Sequence, residues 1–140
     1  MNSNKVKTYM IEQIPENLKQ AFFMAKEASE SAYAPYSGFK VGAAVLTRSD
    51  KIFTGCNIEN SSYGATICAE RVAICKAVSE NSMDFHSIAI YIKSARPFPP
   101  CGICRQFIAE FSDNIIVAYG NDEVVHVSDI MHLLQDSFRL

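Results

Sequence analysis

Two short stretches hold the residues whose types and spacing could do chemistry: Cys68-Ala69-Glu70-Arg71 and Pro100-Cys101-Gly102-Ile103-Cys104, with 30 residues between Glu70 and Cys101. Three thiols and one carboxylate thus stand at the starts of two expected helices. A Cys-x-x-Cys pair at a helix start can chelate one ion with both sulfurs, and Cys68 arrives from the start of a different helix. Helix starts carry partial positive charge, which favours thiolate over thiol. A catalytic zinc takes three protein ligands and keeps one position open for water. Cys68, Cys101 and Cys104 supply three, and no fourth is evident from spacing. Glu70, one turn into its helix, can reach a water at the open position and move its proton without itself being a ligand. A purely structural metal site would need no such shuttle. Three thiolates leave the core electron-rich and blunt its power to acidify water. The two helix starts and Arg71, expected to hydrogen-bond a ligand sulfur, are the available compensation.

The elements that must position these groups follow from periodicity and breakers. Residues 1–13 read as a polar, flexible N-terminal segment, and 14–140 as one catalytic domain. A helix opens at Pro15 or Glu16, with Leu18, Phe22, Ala25, Ala28 and Ala32 at helical spacing. Ala34-Pro35-Tyr36-Ser37-Gly38 breaks it. Strands over 39–47 and 51–56 form a hairpin about Ser49-Asp50. The polar loop 57–64 follows, and a helix capped by Thr66 runs to Val78. Residues 87–93 give a central strand, the Pro-rich 96–100 is irregular, and 102–111 is a third helix. Strands over 115–119 and 123–127 precede a last short helix capped by Ser128 or Asp129. This order implies one three-layer α/β domain, a mixed five-stranded sheet covered by helices. Cys56 and Cys75 read as small buried hydrophobes. His86, His126 and His132 stand at no ligand spacing.

The bulk numbers narrow the class. The 140 residues are 49% hydrophobic and 20% charged, which suits a globular fold and not a disordered chain. The formal charge is −2, without the basic stripe that a polynucleotide-binding protein usually carries, which weighs against a nucleic-acid partner. No apolar run is long enough for a membrane span, and the N-terminus lacks a signal-peptide core. A cytoplasmic protein is expected, in which paired cysteines point to metal or catalysis more than to disulfides.

The cysteine and glutamate pattern matches the zinc deaminase signature in its cysteine version. More broadly, the chain resembles the small homotetrameric cytidine deaminases from about Tyr33 to Phe138. The segments carrying the resemblance are 33–44 (Tyr-Ala-Pro-Tyr-Ser-Gly-Phe-Lys-Val-Gly-Ala-Ala), 55–63 (Gly-Cys-Asn-Ile-Glu-Asn-Ser-Ser-Tyr), 68–71 and 100–106 (Pro-Cys-Gly-Ile-Cys-Arg-Gln). The resemblance implies one Zn²⁺ per subunit on Cys68, Cys101 and Cys104, and Glu70 as proton shuttle. It implies that Asn57 and Glu59 bind ribose hydroxyls, that Phe39 packs on the pyrimidine and that the backbone at Ala69 reads the base. Arg71 would steady the thiolates. Tyr36, Tyr63 and Phe138 would stand at subunit contacts near a neighbouring site. The implied reaction is hydrolytic deamination of cytidine and 2′-deoxycytidine, with another aminopyrimidine nucleoside such as blasticidin S as the alternative substrate. Gln135 departs from the family's usual proline, and Tyr91 and Lys93 are expected to alter the pocket rim.

Overall fold

Alternation along the central strands sorts their side chains between two faces. A computed structural model describes residues 6–140. In β2 (Val41–Thr47), Ala43 and Val45 point to one core, whereas Ala44 points to the other. In β4 (Phe85–Ile92), Ile88 and Ile90 oppose Ala89 and Tyr91, and in β5 (Ile116–Gly120), Val117 and Tyr119 oppose Ala118. Helix α1 (Glu16–Ser29) covers the alanine face through Leu18, Ala21, Phe22 and Ala25. Helices α2 (Ala69–Ser79), α3 (Gly102–Ala109) and α4 (Ile130–Leu133) cover the branched face. The result is the expected three-layer α/β arrangement.

The sheet has six strands where the sequence suggested five. With β1 (Lys7–Met10), β3 (Ile52–Cys56) and β6 (Val124–Asp129), the order is β1-β6-β5-β4-β2-β3. Only the β4–β5 pair is parallel. Residues 7–13, expected to be irregular, form β1 and a 3₁₀ turn, and Ile11 N–H donates to the Glu123 carbonyl at 2.9 Å. The strand is short, polar and at an edge, so it is held by ladder bonds to β6 and carries no hydrophobic stripe. The masking of its signal follows from that. Residues 1–5 lie outside the described residues.

Two glycines set how closely the helices approach. A Cβ at Gly42 would lie 1.8 Å from the Ala25 carbonyl oxygen, so α1 sits against β2 backbone to backbone. A Cβ at Gly55 would lie 2.6 Å from the Ala69 carbonyl oxygen and 2.5 Å from Ala73 N. Gly55 therefore seats the first turn of α2 on the sheet. That helix begins at Ala69 with Cys68 as its N-cap, two residues later than the expected cap at Thr66. Thr66 does not cap it, because its hydroxyl accepts from Asn60 N–H at 3.1 Å in the preceding loop. At the other end Asn81 takes a left-handed conformation (φ 59°), and Ser82 N–H closes back on the Ala77 carbonyl. Cys75 is exposed rather than buried, since Ala73, Ile74 and Ala77 form the inward face of α2. Cys56 is half-buried.

Candidate active site

Cys68 and Cys101 occupy the N-caps of α2 and α3, and Cys104 lies one turn into α3. Their sulfurs all lie within 4.8 Å of one another, and Cys68 and Cys101 are 3.8 Å apart. That is far beyond a disulfide bond. It matches two thiolates each about 2.3 Å from one tetrahedral ion, which lie about 3.8 Å apart. Among the described residues this is the only cluster of three or more His, Cys, Asp or Glu able to hold a metal.

The protein's own fields stabilise the Cys68 thiolate. The neighbouring Cys104 thiol first, and the Arg71 guanidinium beside it, bring Cys68 down to about 5. The closeness of Cys68 and burial push Cys104 up. A Cys₃ set with one open position is a zinc donor set. Arg71 Nη2 donates to Cys68 Sγ at 3.5 Å and to the Thr66 carbonyl at 3.5 Å.

Glu70 is 5% exposed. Burial pushes its carboxyl up to about 7, and the Cys68 charge adds to this. Cys104 Sγ donates to Glu70 Oε2 at 3.6 Å. The carboxyl lines a cleft of about 160 Å³ with Cys68, Ala69, Asn57 and Thr66, walled by Val41, Ile90, Ile92, Phe98 and Pro99. A larger cavity of about 460 Å³ lies at the far end of the sheet, by Leu46, Arg48 and His86, and contains none of the cluster.

The loop beside the cleft is fixed by backbone pairing. Ile58 and Ile67 exchange both N–H···O bonds, and Tyr33 brackets Asn57 and Glu59 from the other side. Asn57, 8% exposed, accepts from Val41 N–H and donates to the Phe39 carbonyl, both at 2.8 Å. Glu59 Oε1 accepts from Tyr36 N–H (2.9 Å) and Ser37 N–H (3.1 Å), and the Ser37 side chain first, then these backbone groups, hold its carboxyl below the usual range. The structure thus ties Asn57 and Glu59 to the segment carrying Tyr36 and Phe39. Of these residues, Asn57 reaches the cleft lining, whereas Phe39, Glu59, Tyr36 and Tyr63 do not. The Tyr36 and Tyr63 rings meet edge to face at 5.8 Å. Phe138 lies apart, its carbonyl accepting from Gln106 Nε2 at 3.1 Å on α3.

Sequence reasoning missed the apolar walls. Ile90 and Ile92 follow from the alternation of β4, which also corrects the expectation for Tyr91. That residue is 2% exposed on the α1 face, where its hydroxyl donates to Asp122 Oδ1 at 2.9 Å. Phe98 and Pro99 belong to the Pro-rich run, whose rigidity could have marked it as a wall.

A three-layer α/β fold with a cysteine triad on two helix N-termini, and a buried carboxyl beside it, is the arrangement of a zinc-dependent hydrolase. Residues 15–119 match the family model described as the cytidine and deoxycytidylate deaminase zinc-binding region. The chain belongs to that family, and zinc is the ion its cysteine cluster suits. A probable cytidine deaminase of Dictyostelium discoideum is 45% identical over 124 residues, covering 88% of this chain and 84% of the relative. The crystal structure of cytidine deaminase from Burkholderia pseudomallei superposes with a TM-score of 0.81 at 40% identity, covering 89% of this chain and all of that one. A blasticidin-S deaminase of Bacillus cereus is 34% identical over 85 residues, 55% of this chain and 61% of the relative.

Proposed function

We propose that this protein hydrolyses cytidine and 2′-deoxycytidine to the corresponding uridines and ammonia. The observation that carries the reading is the Glu70 carboxyl, buried within hydrogen-bonding distance of the Cys₃ cluster and not itself part of it, a place from which it can both accept and donate a proton. Zinc, when bound, supplies a Lewis acid that brings water within reach of deprotonation near neutral pH. Glu70 takes a proton from the water that attacks C4 and hands it to the ring nitrogen; it then takes the second proton from the C4 hydroxyl and passes it to the amine, so that the C4 carbonyl forms as the C–N bond breaks and ammonia leaves. Ala69, as the first residue of α2, has an N–H without an intrahelical acceptor and can donate to the base. The cleft of about 160 Å³ is smaller than the roughly 300 Å³ at which pockets for drug-sized ligands begin. It suits one pyrimidine ring between Ile92, Phe98 and Val41, with Phe39 packing on the ring at the mouth and the sugar meeting Asn57 and Glu59. Cys68, Cys101 and Cys104 are the ligands in this reading, and Arg71 holds the Cys68 thiolate.

Exposed aromatic residues support the remaining expectations. Tyr36, Phe39, Tyr63 and Phe138 are each at least half exposed. Covering them with copies of the chain gives a homotetramer whose sites share residues. Residues 14–140 are the catalytic domain, with β1 added at its edge. No helix among the described residues is long and apolar enough to cross a membrane, and a cytoplasmic location accords with free cysteines throughout. The test is the ultraviolet absorbance of cytidine with zinc-loaded protein beside Glu70→Gln. Conversion by the wild type alone is expected. Conversion of blasticidin S and not of cytidine would overturn the substrate, and sedimentation of an active monomer would overturn the assembly.

A further inference from the structure

Cys101 is the exposed member of the cluster, entered from the irregular stretch 93–100. Something other than its own burial must fix where its sulfur points. The residue before it, Pro100, is fully buried, so its carbonyl needs a partner inside the protein. Arg105 Nε supplies it, donating to the Pro100 carbonyl at 2.8 Å. The other arm of the same guanidinium, Nη1, donates to the Leu133 carbonyl at 2.9 Å, at the end of α4, where helical carbonyls lack intrahelical partners. The α4 helix is itself anchored. Ile130 is fully buried, its N–H donates to the Ile115 carbonyl at 3.0 Å, and Asp129 Oδ1 accepts from His132 N–H at 2.8 Å as N-cap.

Resting on the zinc-centre reading above, we propose that Arg105 is a positioning residue: it clasps the Pro100–Cys101 peptide to the end of α4 and so holds Cys101 in ligating geometry. A guanidinium is a planar fork with fixed donor directions, so two carbonyls bound to one Arg are fixed relative to each other. A lysine ammonium on a flexible stem serves one carbonyl at a time in this geometry and cannot reproduce the clasp. The neighbouring Gln106 faces the other way, toward the Phe138 carbonyl, and has no part in it.

The experiment is zinc release from the loaded protein into a chromogenic chelator, followed by absorbance, with circular dichroism to verify the fold. Arg105→Ala should release zinc at least tenfold faster than wild type. Arg105→Lys, which keeps the charge and the stem, should also release faster and keeps the test decisive if the alanine variant misfolds. Removing the α4 cap with Asp129→Ala should speed release in the wild-type background and add less than twofold on top of the Arg105 change. Gln106→Ala should release at the wild-type rate. Equal rates for wild type and Arg105→Lys, full additivity with Asp129→Ala, or equal acceleration by Gln106→Ala would each overturn the clasp. Wild-type protein that retains no zinc would instead overturn the metal centre itself.

Discussion

Replacing Glu70 by glutamine should make the zinc-free protein more stable above neutral pH while abolishing turnover. Glu70 is almost wholly buried, and its carboxyl is displaced from the ordinary 4.5 to about 7 by desolvation first and the Cys68 charge second. A folded-state value raised above the unfolded one means that the native protein holds its proton more tightly than the unfolded chain. Stability therefore falls as pH rises from 4.5 to 7, and the whole penalty is present above 7. With a tenfold change in proton affinity worth about 1.4 kcal/mol, the penalty is about 3 kcal/mol. That is a large part of a stability of about 5–15 kcal/mol. Glutamine keeps the shape and an acceptor for Cys104 without the charge. The assay is urea unfolding at constant protein concentration with chelator present, at pH 4.5 and pH 8.5. The variant should gain about 3 kcal/mol over wild type at the higher pH and close to none at the lower. An equal difference at both pH values would refute the reasoning, because burial of an ionised carboxylate would then not be the cost.

Arg71→Ala should weaken zinc binding and turnover together, by roughly ten- to a hundredfold, since hydrogen bonds to charged groups contribute about 1.5–3 kcal/mol; competition with a chelator and initial rates measure the two. Gly55→Ala should lift the first turn of α2 off the sheet, because the added carbon meets the Ala69 carbonyl. A loss of 1–3 kcal/mol, about that of an overpacked core, with faster zinc loss, would be seen by denaturation and chelation. Tyr91→Phe should cost about 1 kcal/mol through the lost bond to Asp122 and leave KM for cytidine unchanged, as its ring lies behind the sheet.

The chemistry was legible because it depends on short spacings. Cys68 and Glu70 must share a first turn, Cys101 and Cys104 must share another, and a linear sequence displays both. The layered fold was legible from the same periodicity that buries Ile88 and Ile90. Features that depend on a distant partner were not. Strand β1 is recognisable only by its pairing with β6, and α2 starts after Cys68, which makes no side-chain cap bond, and not after the threonine at 66, whose hydroxyl is taken by Asn60 N–H in the loop. Cys75 sits among apolar neighbours in sequence, yet α2 turns Ala73 and Ala77 inward and leaves it outside. Tyr91 changed sides for the simplest reason: in a strand, one step in register exchanges faces.

The contrast between the two faces of the sheet also has a consequence for how this protein tolerates change. Toward α1 it presents Gly42, Ala44, Ala89 and Ala118, and a methyl group at Gly42 already collides with the helix backbone. Toward α2 and α3 it presents Val45, Ile88, Ile90 and Val117. At these central positions, Tyr91 and Val125 apart, the α1 side has almost no atoms to lose and the other has many. A survey of every single substitution should therefore be two-toned along each strand. Positions facing α1 should reject enlargement, and their alternating neighbours should chiefly reject truncation. Variation would enter the two layers by opposite routes, with the α1 layer the more tightly fixed in size.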